Sequence, residues 1–329
     1  MTRILFAGVA LALAVSTASA RLGGAGTQFL TVGGGARATS MGGAYTAIGG
    51  DLESVFWNPA GIASLEGTAT GFTHTALYAD MAVEDVAIAT PFMDGVIGIS
   101  GLAFLSGTIE ETTEEMPDGT GDTFNANAMA VTLTYARMMT DKFAAGLSLR
   151  VIREALAEVS DTNWGFDLGG TYVVGFSNLR LGFSVANFGP DVQFAGQGLE
   201  QVWGDPGGEG TQTDDVPAVL QAERFSMPMT FRAGVAYDLF DGPAGCLTLC
   251  GEGLHPVDQS ELLGLGMQYA FNGSYFLRAG YTTLNNMEWS LGGGVNIPTG
   301  GNRLSVDYCY QNHEYLDPVH RLSVGFMPR

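Results

Sequence analysis

In the stretch "NRLSVDYCY" every second residue is apolar: Leu304, Val306, Tyr308 and Tyr310 share one face, and Arg303, Ser305, Asp307 and Cys309 share the other. The same alternation runs through "FAAGLSLRV", "WGFDLGGTY", "NLRLGFSV", "MTFRAGVAYD", "SYFLRAGY" and "MEWSLGGGVNI". A strict period of two marks β-strand, because successive side chains leave a pleated chain on opposite sides. Periodicity alone does not say which face is inside; a soluble sandwich would bury the apolar one. The residue types decide it. Trp164, Tyr172, Tyr237, Tyr269, Tyr281, Trp289 and Tyr310 sit near strand ends, and the opposite faces hold small or charged residues. An apolar band edged by aromatic girdles is the pattern of strands standing between lipid and a barrel lumen. The polar faces predict a lumen-facing set: Arg150, Asp167, Arg180, Arg232, Arg278, Glu288, Arg303, Asp307 and Arg321.

Fourteen such runs can be placed, centred on Phe72, Ile88, Ile99, Val131, Leu147, Phe166, Leu181, Phe231, Leu249, Leu265, Leu277, Leu291, Val306 and Val324. Short turns such as "MDG", "TDK", "FSN" and "TGGN" follow the even strands. Long acidic connections, Thr108 to Thr123 and Gly189 to Ser226, follow odd ones. That asymmetry belongs to outer-membrane barrels, with the long loops outside. The expected fold is all-β: a transmembrane antiparallel β-barrel of about 14 strands with an N-terminal hatch or plug segment.

Charged residues make up 15% of the 329-residue chain, against about a quarter in soluble domains. A large surface must face something other than water, and membrane lipid is the partner this implies. The 48 glycines fall inside alternating runs with no collagen period. A formal net charge of −20 excludes nucleic acid, which needs a basic face. Cys246 and Cys250 stand roughly 13 Å apart along a strand, too far to bridge; with Cys309 they read as small inward side chains.

Residues 1–20, "MTRILFAGVALALAVSTASA", have an early cation, a short apolar run and an A-x-A site, the layout of a secretory signal peptide. No stretch reaches the roughly 18 apolar residues of a spanning helix. An exported chain that enters a membrane without such helices must close its backbone hydrogen bonds in a barrel. Outer membrane is the expected location, with 21–65 as a hatch and 66–329 as the barrel.

The hatch carries the chain's most specific motif. "FLTVGGGARATSMGGAYTAIGGD" is too glycine-rich for a strand, and "DLESVFWNPAGIA" sets Trp57 against Asn58, Pro59, Ala60 and Gly61. Asn58-Pro59 reads as a tight turn delivering the chain into the first strand, with Trp57 as a buried anchor. "GGGARA" fits a dinucleotide fingerprint, but no βαβ unit follows. The run from Gly26 to Ala63, followed by the strand pattern, resembles the PorV/PorQ family of outer-membrane proteins, relatives of FadL-type transporters. The resemblance implies a hatch inside the barrel holding Asn58, Pro59 and Ala60. It also implies service in type IX secretion, with exported proteins bound at the outer face.

Two functional readings stay open. The first is protein secretion or surface attachment, for which the Gly189 to Ser226 loop offers Phe194, Leu199, Trp203, Val219 and Leu220 as apolar partner contacts. The alternative is passive transport of hydrophobic small molecules, which the charged inward faces argue against mildly. No enzyme is expected: His74, His255, His313 and His320 accompany no nucleophile motif. No cofactor or metal is expected; Glu115, Asp118 and Asp122 miss the calcium-loop spacing. The last strand should end at Phe326, leaving Met327 to Arg329 as a tail.

Overall fold

Backbone pairing closes one sheet on itself. In a computed structural model of the chain, the described residues are 25–175, 178–203, 216–242, 245–284 and 287–328. The signal peptide expected at 1–20 lies outside them. The strands are β1 (Ala69–Ala76), β2 (Ala82–Phe92), β3 (Gly95–Leu105), β4 (Ala126–Thr140), β5 (Phe143–Leu156), β6 (Val159–Val173) and β7 (Leu179–Phe188). They continue as β8 (Thr230–Gly242), β9 (Gly245–Pro256), β10 (Leu262–Phe271), β11 (Tyr275–Thr282), β12 (Met287–Thr299), β13 (Asn302–His313) and β14 (Val319–Pro328). Each pairs antiparallel with its sequence neighbours, and β1 pairs with β14 from Thr70↔Phe326 to Ala76↔His320. The result is a closed 14-stranded barrel, as the alternation predicts.

The faces sort cleanly along β4. Met129, Val131, Leu133 and Tyr135 are exposed, while Ala128, Ala130, Thr132, Thr134 and Ala136 are buried. Exposed Leu147, Leu149 and Val151 on β5 and Leu263, Leu265 and Met267 on β10 extend the outward apolar belt. A belt of this extent belongs in lipid, since water-soluble monomers rarely expose patches beyond a few hundred Å². The chain is an outer-membrane β-barrel.

Three local expectations need correction. A β-bulge breaks the register between Met287 and Ser290, and one extra residue reverses the facing of what precedes it. Met287 is therefore buried, opposite His313. Glu288 does not follow the lumen-facing pattern: it accepts a hydrogen bond from Asn312 at 3.0 Å, one place along from inward, buried Gln311. The final strand does not stop at Phe326, because Arg303↔Met327 and Asn302↔Pro328 continue the ladder. Asn58-Pro59 is not a bare turn. Asn58 is extended (φ −150°) and caps a 3₁₀ turn, Pro59–Ile62, by accepting the Ala60 N–H at 3.1 Å. Proline fits the first position of such a turn because its missing N–H would have no partner there.

The long connections are partly ordered. Ile109–Glu110 pairs with Thr123–Phe124, and Glu200–Trp203 pairs with Val216–Val219. Residues 25–65 form no strand of the barrel; they coil through its interior.

Candidate functional site: a filled lumen with a chamber at each end

The interior segment has one α-helical turn, α1 (Ala36–Ser40), and 3₁₀ turns at Gln28–Thr31, Glu53–Phe56 and Pro59–Ile62. Its backbone lies directly on the wall. Gly42 has φ +65°, and a Cβ there would come 2.5 Å from the Tyr281 carbonyl oxygen of β11. Opposite it, a Cβ on Gly280 would collide with the Gly42 nitrogen. Only glycine permits that approach.

Trp57 is 5% exposed. Its indole N–H donates to the Gly34 carbonyl at 2.8 Å, and the Arg232 guanidinium lies 5.0 Å from its ring centroid. Asn58, fully buried, donates to the Thr46 carbonyl at 2.7 Å and to the Gly170 carbonyl of β6 at 3.2 Å. Pro59 and Ala60 sit against Gly146 of β5, and Gly61 packs on Ser54. The five motif residues thus come together between the segment's own core and the β5–β6 wall.

Most of the inward charges are paired; Arg303 is not, its buried Nε having no partner among the described residues while it lines a cavity. Arg150 bonds Asp167 at 2.8 Å, Arg180 bonds Asp238 at 2.7 Å, and Arg278 bonds Asp307 at 2.6 Å. Arg232 reaches Glu252 at 3.3 Å, and the other Glu252 oxygen accepts the Thr46 N–H at 2.8 Å. Arg321 donates to Gln311 and to the Val32 carbonyl. Within the segment Arg37 bonds Asp51 at 2.7 Å. Five of these contacts tie wall to wall, and others tie wall to segment. The partners Asp51, Asp238 and Glu252 are additional to the lumen-facing set that the alternation predicts. Asp238 follows Arg232 at an even spacing on one strand, a signal that was available; Asp51 sits in irregular chain, where no period could mark it.

Glu53 is half-buried at the edge of the smaller chamber. It accepts the Ala38 N–H at 3.0 Å and the Arg37 N–H at 3.4 Å, stabilising the start of α1. Burial, with Asp307 and Asp51 nearby, pushes its carboxyl up to about 8 despite the bond from Ala38.

Cavities remain above and below the segment. A chamber of about 340 Å³ lies toward the short-turn end, bounded by Phe56, Leu52, Phe276, Met327, Arg303 and Gly273. A larger one, about 760 Å³, lies toward the long-loop end among Phe29, Leu77, Met81, Phe104, Leu156, Phe194 and Leu316. A third cavity, of only about 20 Å³, lies against β3–β5 beside Leu30, Gly33, Gly34, Phe56 and Arg150. Phe56 lines both this small cavity and the smaller chamber.

The loop residues are divided. Phe194 packs inward on the cluster containing Phe29, Val192 and Met227. Leu199 ends a 3₁₀ turn, Gln197–Leu199, while Val219 (72%) and Leu220 (50%) are exposed. Trp203 closes one strand of the loop hairpin, and its side chain lies outside the described residues. The sets Val219–Leu220 and Phe194 do not form one outward patch.

No family model matches the chain, and no curated protein does; the PorV/PorQ resemblance rests on its motif. Solved structures do match. The CymD monoaromatic hydrocarbon channel is similar with a TM-score of 0.60 and 14% identity, over 90% of this chain and 97% of that one. The toluene transporter TodX of Pseudomonas putida is similar with a TM-score of 0.59 and 12% identity, over 89% of this chain and 96% of that one. At such identities the likeness establishes the fold, that of outer-membrane barrel channels.

Proposed function

We propose that this chain is a passive channel for small hydrophobic molecules, with residues 21–65 as its hatch and Trp57, Asn58, Pro59, Ala60 and Gly61 as the hatch's seat. The observation that carries this is the pair of chambers, one toward each end of the barrel, with Phe56 lining the smaller one and the small cavity beside Leu30; in this reading Phe56 is the constriction on the path between them. A permeant would enter from the long-loop side, where the chamber walls are mainly aliphatic and aromatic, as ligand pockets commonly are. Movement of Phe56 or of the Gly33-Gly34 backbone would open the way down. The pairing of most interior charges weakens the main sequence objection, because paired groups brace the hatch, while Arg303, Glu53 and Asp307 still line the smaller chamber. Structural likeness to channels for monoaromatic hydrocarbons and toluene supports the same reading. The secretion reading is weaker: it needs outward apolar anchors, Phe194 turns inward, and among the described side chains of that set Val219 and Leu220 are the exposed ones.

The test is uptake. In an outer membrane deprived of its own hydrophobic channels, the protein should raise the initial entry of labelled toluene several-fold over vector-only cells. Phe56→Ala should raise it further by widening the constriction. Entry equal to the vector control ends the proposal.

A further inference from the structure

The long-loop chamber is mostly apolar, and the polar groups on its wall are largely engaged. Gln28 donates to Asp258 at 2.7 Å and to the Ala25 carbonyl at 3.2 Å. Thr31 donates to the Gln28 carbonyl at 2.8 Å, and the Asn127 carbonyl oxygen accepts the Ser106 N–H at 3.4 Å. The Glu154 carboxylate lies near the Thr27 N–H, and its Oε2 is buried with no partner among the described residues. His313 adds a donor whose direction is fixed. Its Nδ1 accepts two backbone N–H groups, from Tyr315 and Leu316, each at 3.2 Å. A nitrogen that accepts cannot carry the proton, so the neutral ring holds its hydrogen on Nε2. The ring is further fixed edge-on to Tyr78, with centroids 5.6 Å apart at 71°. Both rings line the chamber, beside Met81, Met287 and Leu316. No partner for Nε2 is found among the described residues.

We infer that this chamber selects hydrophobic molecules bearing one hydrogen-bond-accepting oxygen, such as an aromatic ketone, over hydrocarbons of the same shape, and that His313 Nε2–H makes the selection. The inference rests on the transport reading and sharpens its substrate class. An oriented N–H in an apolar chamber gains a partner when such an oxygen arrives and gains none from a hydrocarbon. The Tyr78 hydroxyl can serve the same oxygen, but it rotates freely, whereas the imidazole is held by two backbone bonds. The small difference between the two ligand types is the usual worth of one neutral hydrogen bond.

Acetophenone and α-methylstyrene test it, since they differ only in a carbonyl oxygen against a methylene group. Their binding would be measured by equilibrium dialysis on the full chain in lipid nanodiscs, with empty discs subtracted. The variant His313→Asn keeps an acceptor for the Tyr315 and Leu316 N–H groups, while its amide N–H, the donor that remains, stops short of the position that Nε2 occupies. It should weaken acetophenone about fivefold and hold α-methylstyrene within about twofold. His313→Leu should give the same acetophenone loss, and its α-methylstyrene binding reports whether the loop has kept its shape. Equal losses for both ligands in His313→Asn, or no loss for either, overturn the inference while leaving transport standing. A wild-type protein that binds neither ligand overturns transport itself, and the inference with it.

Discussion

The barrel wall and the segment inside it are built by opposite rules. The wall repeats one rule through strands of 8 to 15 residues, and its backbone groups pair in continuous ladders. The segment never repeats: one five-residue helical turn and three 3₁₀ turns are held by side chains such as Glu53, Asn58 and Trp57 that reach back to carbonyls and N–H groups. Removing a side chain from the wall leaves the ladders intact. Removing one from the segment removes part of its scaffold.

Trp57→Ala should therefore have the largest effect, and a local one. Truncating a buried tryptophan costs about 3–5 kcal/mol, here lost from the seat because the Gly34 bond and the Arg232 contact go with it. The barrel should still migrate as a folded species on gels while ion conductance across planar bilayers rises. A folded, sealed variant would erase the contrast between wall and segment.

Next in size is a change confined to the wall. Val306 lies mid-strand on β13, between Val295 and Val324, so Val306→Arg should destabilise the barrel by about 2–4 kcal/mol. Refolding into bilayers under urea measures it, and conductance of the folded fraction should not change. A leak without loss of stability would mean that this face does not meet lipid.

The smallest step is a pH effect on the segment. The Glu53 carboxyl titrates near 8 when seated, above the ordinary value of 4.5. The seated form then holds the proton more tightly than a displaced one, so seating is strongest at or below about pH 4.5 and weakens as pH rises to about 8. One proton limits the slope to about 1.4 kcal/mol per pH unit. Leakage should climb across this window, and Glu53→Gln should flatten the climb.

Legibility follows the same divide. All fourteen strands contain the residues on which the alternation centred them, because a wall between lipid and lumen writes its two environments into every second residue. It failed where one residue was added: the Met287–Ser290 bulge is invisible to a rule that counts by twos. Inside the barrel no period exists. Tryptophan, proline and clustered glycine marked a corner, but the chambers depend on where Phe56 and Leu30 meet strands far away in sequence. The purpose of Arg150, Arg232 and Arg278 was equally hidden, since an unpaired arginine and a paired one look alike in a sequence.

The seam between β1 and β14 sets a timetable for assembly. The first helical turn docks there: the Ala36 N–H donates to Ser323, which also bonds Thr73 of β1, and the Val32 carbonyl accepts from Arg321. The portion of the chain made early thus waits for partners made nearly 290 positions later. Contacts so distant in sequence form slowly, because the intervening chain must first be ordered. Until the last strand pairs with the first, the segment has only part of its berth. Ring closure and docking are then one event, and a nascent chain halted before β14 would be left both unzipped and uncorked.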